Sequence, residues 1–223
     1  TQTLRDGDYE FLNGELVKTN KDILPLPANH RLPYETILQL NPESVFELGV
    51  GNGMLLNNIQ TLSSEIKLSG IDLSEKQLEF LRESYPNLRA DVRQYDATVP
   101  FDDSFQKVDL AYTHAVIMHI KTDDSHLVVL ANLFNISQKY VVLMENWQAH
   151  EFLKDVRYLF NKKLISWDKL YVYYRIAKED PSTRVMICSR SPLNYSELTD
   201  YREMTKGIES QNLFVRFRKW LRA

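Results

Sequence analysis

Three closely spaced glycines stand where a ligand could touch bare backbone. An apolar run around Glu47 predicts a short strand, Gly49, Gly51 and Gly53 follow it, and a helical apolar pattern begins directly after them. A strand, a glycine-rich turn and a helix form the corner at which open α/β sheets bind phosphates or nucleosides. Glycine suits this corner because a ligand can approach it without meeting a Cβ atom. The stretch therefore predicts a nucleotide-like ligand.

The spacing of the glycines separates two kinds of ligand. Dinucleotide-binding turns read G-x-G-x-x-G, and their third glycine lets the helix pack on the strand. Here Met54 stands at that third position, and the glycines are spaced G-x-G-x-G. Asp72 follows the next predicted strand, about 20 residues on, at the offset where such folds place a carboxylate for the ribose. Met54 and Glu47 therefore count against a nicotinamide oxidoreductase.

This pattern resembles motif I of the class I S-adenosylmethionine (SAM) methyltransferases. The resemblance implies an enzyme that uses SAM, releases S-adenosylhomocysteine (SAH) and needs no metal. It implies that the glycine turn passes under the methionine part and ribose of SAM, and that Asp72 binds the two ribose hydroxyls. Asp96 would lie near the adenine amino group. The positions that match SAM contacts of the family are Glu47, Gly49, Val50, Gly51, Asn52, Gly53, Asp72, Leu73, Asp96, Ala97, Thr113 and His114.

Three titratable side chains follow the predicted fourth and fifth strands. His114 ends the fourth strand, His119 lies five residues later, and Glu145 ends the fifth strand. Open α/β sheets place ligands at the carboxyl ends of their strands, so these groups are expected near the reacting methyl. A hydroxyl acceptor needs a base, and histidine suits that task because it titrates near neutrality. We therefore predict His119, His114 and Glu145 as candidate catalytic residues.

Residues that could hold the acceptor or cover the cofactor form a second group of candidates. A carboxylate or phosphate acceptor would need no base, and Arg157, Arg175 or Tyr174 would hold it instead. In the family, residues just before the first core strand often cover the cofactor. The candidates for such a cover are Asn29, His30, Arg31 and Tyr34. Arg31 could pair with the SAM carboxylate or be an ordinary surface arginine.

The order of the predicted elements agrees with the family independently of the glycines. Strands alternate with helices from residue 44 to 145, and the apolar run over 140–145 is typical of a strand covered on both faces. Residues 170–177 and 184–188 predict two closing strands. The predicted fold is α/β: a Rossmann-like, open, mostly parallel seven-stranded sheet with helices on both faces and an antiparallel last strand.

Three segments are predicted. Residues 1–40 form an N-terminal hairpin, indicated by Asn13-Gly14, and a cofactor-covering segment with a short helix over 34–40. Residues 41–192 form the methyltransferase core. Residues 193–223 form a basic amphipathic helix or a linker. The helical face over 212–222 could lie on an anionic membrane, dock a partner or pack on its own domain.

Composition excludes several classes of protein. The chain has 223 residues, a net charge of −3 and 43% hydrophobic residues, as expected for one ordinary globular domain, and the charge argues against nucleic acid as the main partner. A single cysteine, Cys188, cannot form an internal disulfide. Neither a membrane-spanning run nor a signal peptide is apparent. We therefore expect a cytoplasmic protein.

Missing signatures narrow the acceptor. After the fifth strand the chain reads E-N-W, without the acidic pair of metal-dependent catechol-type enzymes, and T-H-A-V replaces the signature of nucleic-acid amino-methyltransferases. The paired-glutamate loop of protein arginine methyltransferases is missing as well. The stretch H-A-V-I-M-H-I is similar to methyltransferases encoded with bacterial surface-sugar pathways. We therefore predict methyl transfer to an oxygen of a small molecule or glycan, as hydroxyl, carboxylate or phosphate. The alternative is a regulatory or scaffolding module that binds SAM without catalysis.

Overall fold

The computed structural model describes residues 2–208, and it begins with a β-hairpin apart from the main sheet. Strand β1 (Tyr9–Leu12) pairs antiparallel with β2 (Glu15–Lys18). Asn13 and Gly14 connect them with φ values of 53° and 86°. Both values are left-handed, as a two-residue hairpin turn requires. The hairpin predicted from Asn13-Gly14 is therefore present.

Helix α1 (Ala28–Leu40) is longer than the helix predicted over 34–40. Pro33 suggested a boundary because proline lacks the N–H of a helical hydrogen bond. The helix nevertheless continues through Pro33 and begins after Pro27, its N-cap residue. Leu32 and Pro33 are buried, so packing of this added turn offsets the lost hydrogen bond. Residues 28–32 therefore lie on a helix rather than in the predicted loop.

Five parallel strands form one side of an eight-stranded sheet, from its edge inward. They are β3 (Ser44–Leu48), β4 (Lys67–Asp72), β5 (Ala90–Gln94), β6 (Val108–His114) and β7 (Ser137–Met144). Their order across the sheet is β5–β4–β3–β6–β7. The order reverses at β3, and ligands of open α/β sheets bind at such a switch point.

Three further strands extend the sheet beyond β7: β8 (Tyr171–Ile176), β9 (Arg184–Ser189) and β10 (Ser196–Glu197). Strand β9 is antiparallel to β7, as predicted for the last of seven strands, but it lies between β7 and β8 instead of at the edge. Strand β10 is an eighth strand of two residues. The predicted Rossmann-like, mostly parallel sheet is confirmed, with one strand more than expected.

Helices cover both faces of this sheet. After α1 they are α2 (Met54–Leu62), α3 (Glu75–Ser84), α4 (Ser125–Ile136), α5 (Phe152–Asn161) and α6 (Arg202–Thr205), with a 3₁₀ turn at Ile117–His119. Neighbouring strand residues point to opposite faces. Val45 packs in the cluster that contains Leu56 of α2, whereas Phe46 packs in the cluster that contains Phe134 of α4.

The last described residues pack on the same domain. Met204 of α6 is buried in the core, and Arg184 of β9 donates hydrogen bonds to the carbonyls of Met204 and Lys206. The basic helix predicted over 212–222 lies outside the described residues, and the boundaries at 40 and 192 stay predictions. Within residues 2–208, no helix is both long and apolar enough to cross a bilayer.

Candidate active site

The glycine turn after β3 is tied to the neighbouring strand. The backbone N–H groups of Gly49 and Val50 both donate to the carbonyl oxygen of Ile71, at 2.8 and 3.0 Å. The three glycines of the turn have φ values of +80°, +52° and +78°. Residues with a Cβ rarely adopt such values. The turn is therefore shaped by its backbone and placed at the carboxyl edge of the sheet.

The three glycines serve different purposes. A Cβ atom on Gly49 would lie 2.4 Å from Val116 Cγ2, and one on Gly53 would lie 2.4 Å from Leu81 Cγ. Close packing therefore requires glycine at these two positions. A Cβ on Gly51 would meet nothing within 4 Å. Gly51 is the member of the motif that faces open space, where a ligand can reach the backbone.

Asp72 closes one side of this space. Its Oδ2 accepts the N–H of Gly51 at 2.8 Å, and its Oδ1 accepts the N–H of Ser74 at 2.8 Å. Each carboxylate oxygen can accept a further hydrogen bond. The pairing of β3 with β4 brings the two parts together, because the strands are adjacent and parallel. The structure thus places Asp72 beside the glycine turn, as its spacing predicted.

Glu47 is a buried carboxyl group with an unsatisfied oxygen. The side chain is 1% exposed, and its Oε2 has no hydrogen-bond partner among the described residues. The hydroxyl of Tyr112 is near but is likewise without a partner of good geometry. Burial raises the pKa of Glu47 well above its usual range, and the charge of Asp72 adds to the rise. A ligand cation could satisfy this oxygen.

Leu73, Asp96 and Ala97 follow the carboxyl ends of β4 and β5. Leu73 is 66% exposed directly after Asp72, which leaves apolar surface beside that carboxylate. Asp96 Oδ1 accepts the backbone N–H and the hydroxyl of Thr98, at 2.9 and 2.7 Å. These bonds lower the pKa of Asp96. The Ala97 carbonyl accepts a bond from the side chain of Asn132.

Three of the predicted contact residues support the turn or the strand next to it. Val50 is buried, and its Cγ1 would lie 2.4 Å from a Cβ placed on Gly70. Asn52 Oδ1 accepts the N–H of Met54 at 3.2 Å. Thr113 donates to Glu145 from its buried position in β6. Their side chains are therefore occupied, while the backbone of Val50 and Asn52 lines the open turn.

Glu145 accepts four hydrogen bonds from its own chain. Its Oε1 accepts the Thr113 hydroxyl and the N–H groups of Val116 and Ile117, and its Oε2 accepts the N–H of Met118, all at 3.0–3.2 Å. Burial raises the pKa of this carboxyl, and the backbone donors oppose the rise. The geometry indicates that the Glu145 side chain stabilises the turn after β6. The role of Glu145 as a base stays a prediction.

The histidines differ in their surroundings. His114 ends β6 and makes an edge contact with His30 of α1, with ring centroids 5.6 Å apart and ring planes at 73°. Burial lowers the pKa of His114 to about 4, and the neighbouring His30 adds to the drop. His119 is exposed at the end of the 3₁₀ turn. Sequence reasoning did not propose His30 as a partner of His114, because no local pattern links positions so far apart.

Arg31 lies on a different side of α1. It forms ion pairs with Glu35, at 3.4 Å, and with Glu179 in the loop after β8. Arg175 of β8 also approaches Glu35, at 3.8 Å, and donates to the hydroxyl of Thr36. In this structure both arginines are therefore engaged by side chains of the protein. The predicted contact of Arg31 with the SAM carboxylate stays a prediction.

The described residues contain no group of three or more His, Cys, Asp or Glu side chains that could hold a metal ion.

Two further histidines stack outside the candidate site, with the ring centroids of His126 and His150 4.1 Å apart. His126 Nε2 lies 3.5 Å from a carboxylate oxygen of Asp155.

Residues 45–138 match a protein family described as "Methyltransferase domain". The match covers β3 to the start of β7 and includes the glycine turn, Asp72 and His114. No curated protein is similar enough in sequence to be matched.

Solved structures share the fold. The methyltransferase domain of bacterial CtHen1 aligns with a TM-score of 0.58 at 18% identity, over 73% of this chain and 97% of that domain. A TehB-like SAM-dependent methyltransferase from Corynebacterium glutamicum aligns with a TM-score of 0.57 at 15% identity, over 75% and 89% of the two chains. The plantazolicin methyltransferase BpumL in complex with SAH aligns with 0.55 at 13% identity, over 72% and 80%. At these identities the likeness establishes the fold.

Proposed function

We propose that this chain, which carries a SAM-dependent methyltransferase domain of the class I fold, transfers a methyl group from SAM to an oxygen of a small-molecule or glycan acceptor. The observation that carries the proposal is the arrangement around Gly51. Bare backbone faces open space there, the carboxylate of Asp72 lies beside it, and Glu47 offers an unsatisfied oxygen nearby.

The residues present fit SAM. Asp72 keeps acceptor capacity for the two ribose hydroxyls while it holds the turn. The free oxygen of Glu47 suits the ammonium group of the methionine part of SAM. A buried carboxylate needs an opposite charge or a hydrogen-bond donor beside it, and this ammonium group would be both. The exposed apolar side chain of Leu73 suits the face of an adenine. Arg31, held by two carboxylates, would have to exchange partners to bind the SAM carboxylate.

SAM supplies a methyl group that is already activated by the sulfonium, so the protein mainly positions the acceptor. His114 stands at the end of β6 and, with its lowered pKa, is uncharged near neutral pH. An uncharged imidazole accepts a hydrogen bond and does not repel the sulfonium. The net charge of −3 and the missing signatures of nucleic-acid and arginine methyltransferases support a small-molecule or glycan acceptor.

Calorimetric titration tests the proposal. We expect SAM and SAH to bind, and Asp72→Asn to weaken both by at least about tenfold, because hydrogen bonds to a charged group are lost. Asp91→Asn is the matched control, since Asp91 is an exposed carboxylate on the neighbouring strand β5. The proposal is wrong if neither SAM nor SAH binds, or if both variants bind as the unchanged protein does.

A binding module without catalysis is the second candidate. It is favoured by the surroundings of two predicted bases: Glu145 already accepts four hydrogen bonds from its own chain, and burial lowers the pKa of His114 to about 4. Methyl-labelled SAM and a panel of hydroxylated small molecules and glycans separate the two functions. Any labelled product excludes the module. Tight SAM binding without a product across the panel favours it.

A further inference from the structure

His30 is the third residue of α1, and the helix brings it to the edge where β6 ends. Residues 30 and 34 share one face of the helix, and residues 31 and 35 share another. Tyr34 is buried and accepts a hydrogen bond from Asn58 of α2, which fixes the rotation of α1. With this rotation Arg31 turns toward Glu179, and His30 turns toward His114.

The ring of His30 carries an unsatisfied nitrogen. Its Nδ1 is buried and has no hydrogen-bond partner among the described residues. A buried polar atom without a partner costs free energy, so such an atom points to a partner supplied by a ligand. The ring of His30 lies next to His114 at the carboxyl edge of the sheet, where open α/β sheets bind their ligands.

His30 is better suited to accept a proton than the other candidates. Glu145 is held by four donors, and His119 is exposed at the end of its turn. His114 has a pKa of about 4 and is therefore a weak base near neutrality. His30 instead carries a buried Nδ1 without a partner among the described residues, and burial lowers the pKa of its imidazole as well.

We propose that His30 is a further catalytic residue: its imidazole takes the proton of a hydroxyl acceptor, and His114 positions that imidazole through the edge contact. The inference rests on the proposed function and narrows it to one acceptor class. The oxygen–methyl bond forms as the sulfur–methyl bond breaks, and the acceptor proton passes to His30. The positive charge of the sulfonium therefore ends on the imidazolium, and SAH leaves uncharged.

The charged side chains on and against α1 favour a hydroxyl as the methyl acceptor over a carboxylate or a phosphate. Two arginines that contact residues of α1, Arg31 and Arg175, are paired with Glu35, and Arg31 also pairs with Glu179. Neither is free to hold an anion beside the two histidines. A proton-bearing acceptor needs no such cation, but it needs a base, which the His30–His114 pair supplies.

The test measures the protonation of each imidazole by NMR in the full chain with ¹⁵N-labelled histidine. Spectra of His30→Asn and His114→Asn assign the signals. We expect the protonation midpoint of His30 to be lower in the SAM complex than in the SAH complex by about one pH unit or more, because a nearby sulfonium opposes the imidazolium. Gln39→Ala, a change at an exposed residue near the other end of α1, should leave this difference unchanged.

Equal His30 midpoints in the two complexes would overturn the inference while leaving the proposed function intact. Failure of both SAM and SAH to bind would overturn the proposed function and the inference together. A labelled product from the acceptor panel gives a second measurement. An ether that survives mild alkali supports transfer to a hydroxyl, and an ester that releases methanol contradicts it.

Discussion

Three of the site carboxylates are chemically alike in sequence but differ in what each one contacts. Asp72 ties the glycine turn to β4 and keeps acceptor capacity for a ligand. Glu47 is buried with an unsatisfied oxygen. Glu145 accepts hydrogen bonds from a hydroxyl and three backbone N–H groups. Their contacts therefore separate them: Asp72 and Glu47 keep oxygens that can accept a further bond, whereas Glu145 holds the turn after β6.

Glu47→Gln should affect stability and SAM affinity in opposite directions. The folded pKa of Glu47 is raised, so the native state holds this proton more tightly than the unfolded chain does. The free energy of unfolding of the unliganded protein should therefore fall as the pH rises from the usual carboxyl value of 4.5 through the folded pKa. Glutamine cannot ionise and should remove this fall. Urea denaturation at pH 5 and pH 8 measures it.

The same variant should bind SAM more weakly than the unchanged protein, because the ammonium group loses a charged partner. Calorimetric titration at pH 8 measures this loss. A variant that binds SAM normally would show that the free oxygen of Glu47 does not contact the ligand.

Residue spacing predicted Asp72 but did not predict the role of His30. Asp72 ends β4, and Gly51 lies in the turn after β3; a single helix connects these two adjacent parallel strands, so the separation of the two residues in sequence fixes their meeting. His30 and His114 meet because α1 packs across the sheet with one particular rotation. That rotation depends on the bond between Tyr34 and Asn58, which no local pattern encodes.

Among the elements, the short turn after β6 depends most on a single side chain. The turn places Val116 against Gly49, so it helps to shape the glycine loop from the opposite side. Glu145 accepts three consecutive backbone N–H groups of this turn. The donors at the start of a helical turn have no partners within it, and a carboxylate is well suited to satisfy them.

Glu145→Gln should therefore destabilise the protein by about 1–3 kcal/mol, because the amide offers a donor where an acceptor is needed. Urea denaturation measures this change, and hydrogen exchange at residues 116–118 should become faster. Gln138→Glu, the reverse change at an exposed position of β7, is the control for altered charge. Full stability together with a shifted pH–rate profile would instead indicate that Glu145 is a base.

Elements with a strong local pattern were predicted well, and those that depend on packing were not. The hairpin at Asn13-Gly14 and the strands of the glycine turn and of Asp72 follow from residue types. The first turn of α1 was missed because burial outweighs the cost of Pro33. Strand β10 was missed because two residues carry no periodicity, and pairing with β8 alone defines it.

For the whole molecule, a ligand at the candidate site would join elements that are far apart in the chain. The ends of β3 and β4, the loop after β5 and the end of β6 all border this site. A ligand that binds the folded state adds its binding free energy to stability.

SAM at about 100 times its dissociation constant should therefore raise the free energy of unfolding by about 2.7 kcal/mol. Thermal denaturation with and without SAM measures the gain, and at the same SAM concentration Asp72→Asn should show a clearly smaller one. An unchanged melting temperature at a saturating SAM concentration would contradict the site described above.

The short strand β10 also affects whether two copies of this protein can pair through the edges of their sheets. Strand β8 has the sequence Y-V-Y-Y-R-I, a segment rich in β-forming residues that would invite strand addition if it ended the sheet. β10 pairs with Tyr173 and Tyr174 and itself offers two residues, too few for a stable intermolecular ladder. At the opposite end β5 carries Asp91 and Arg93. Both edges of the described sheet are therefore poor partners for a strand of another copy.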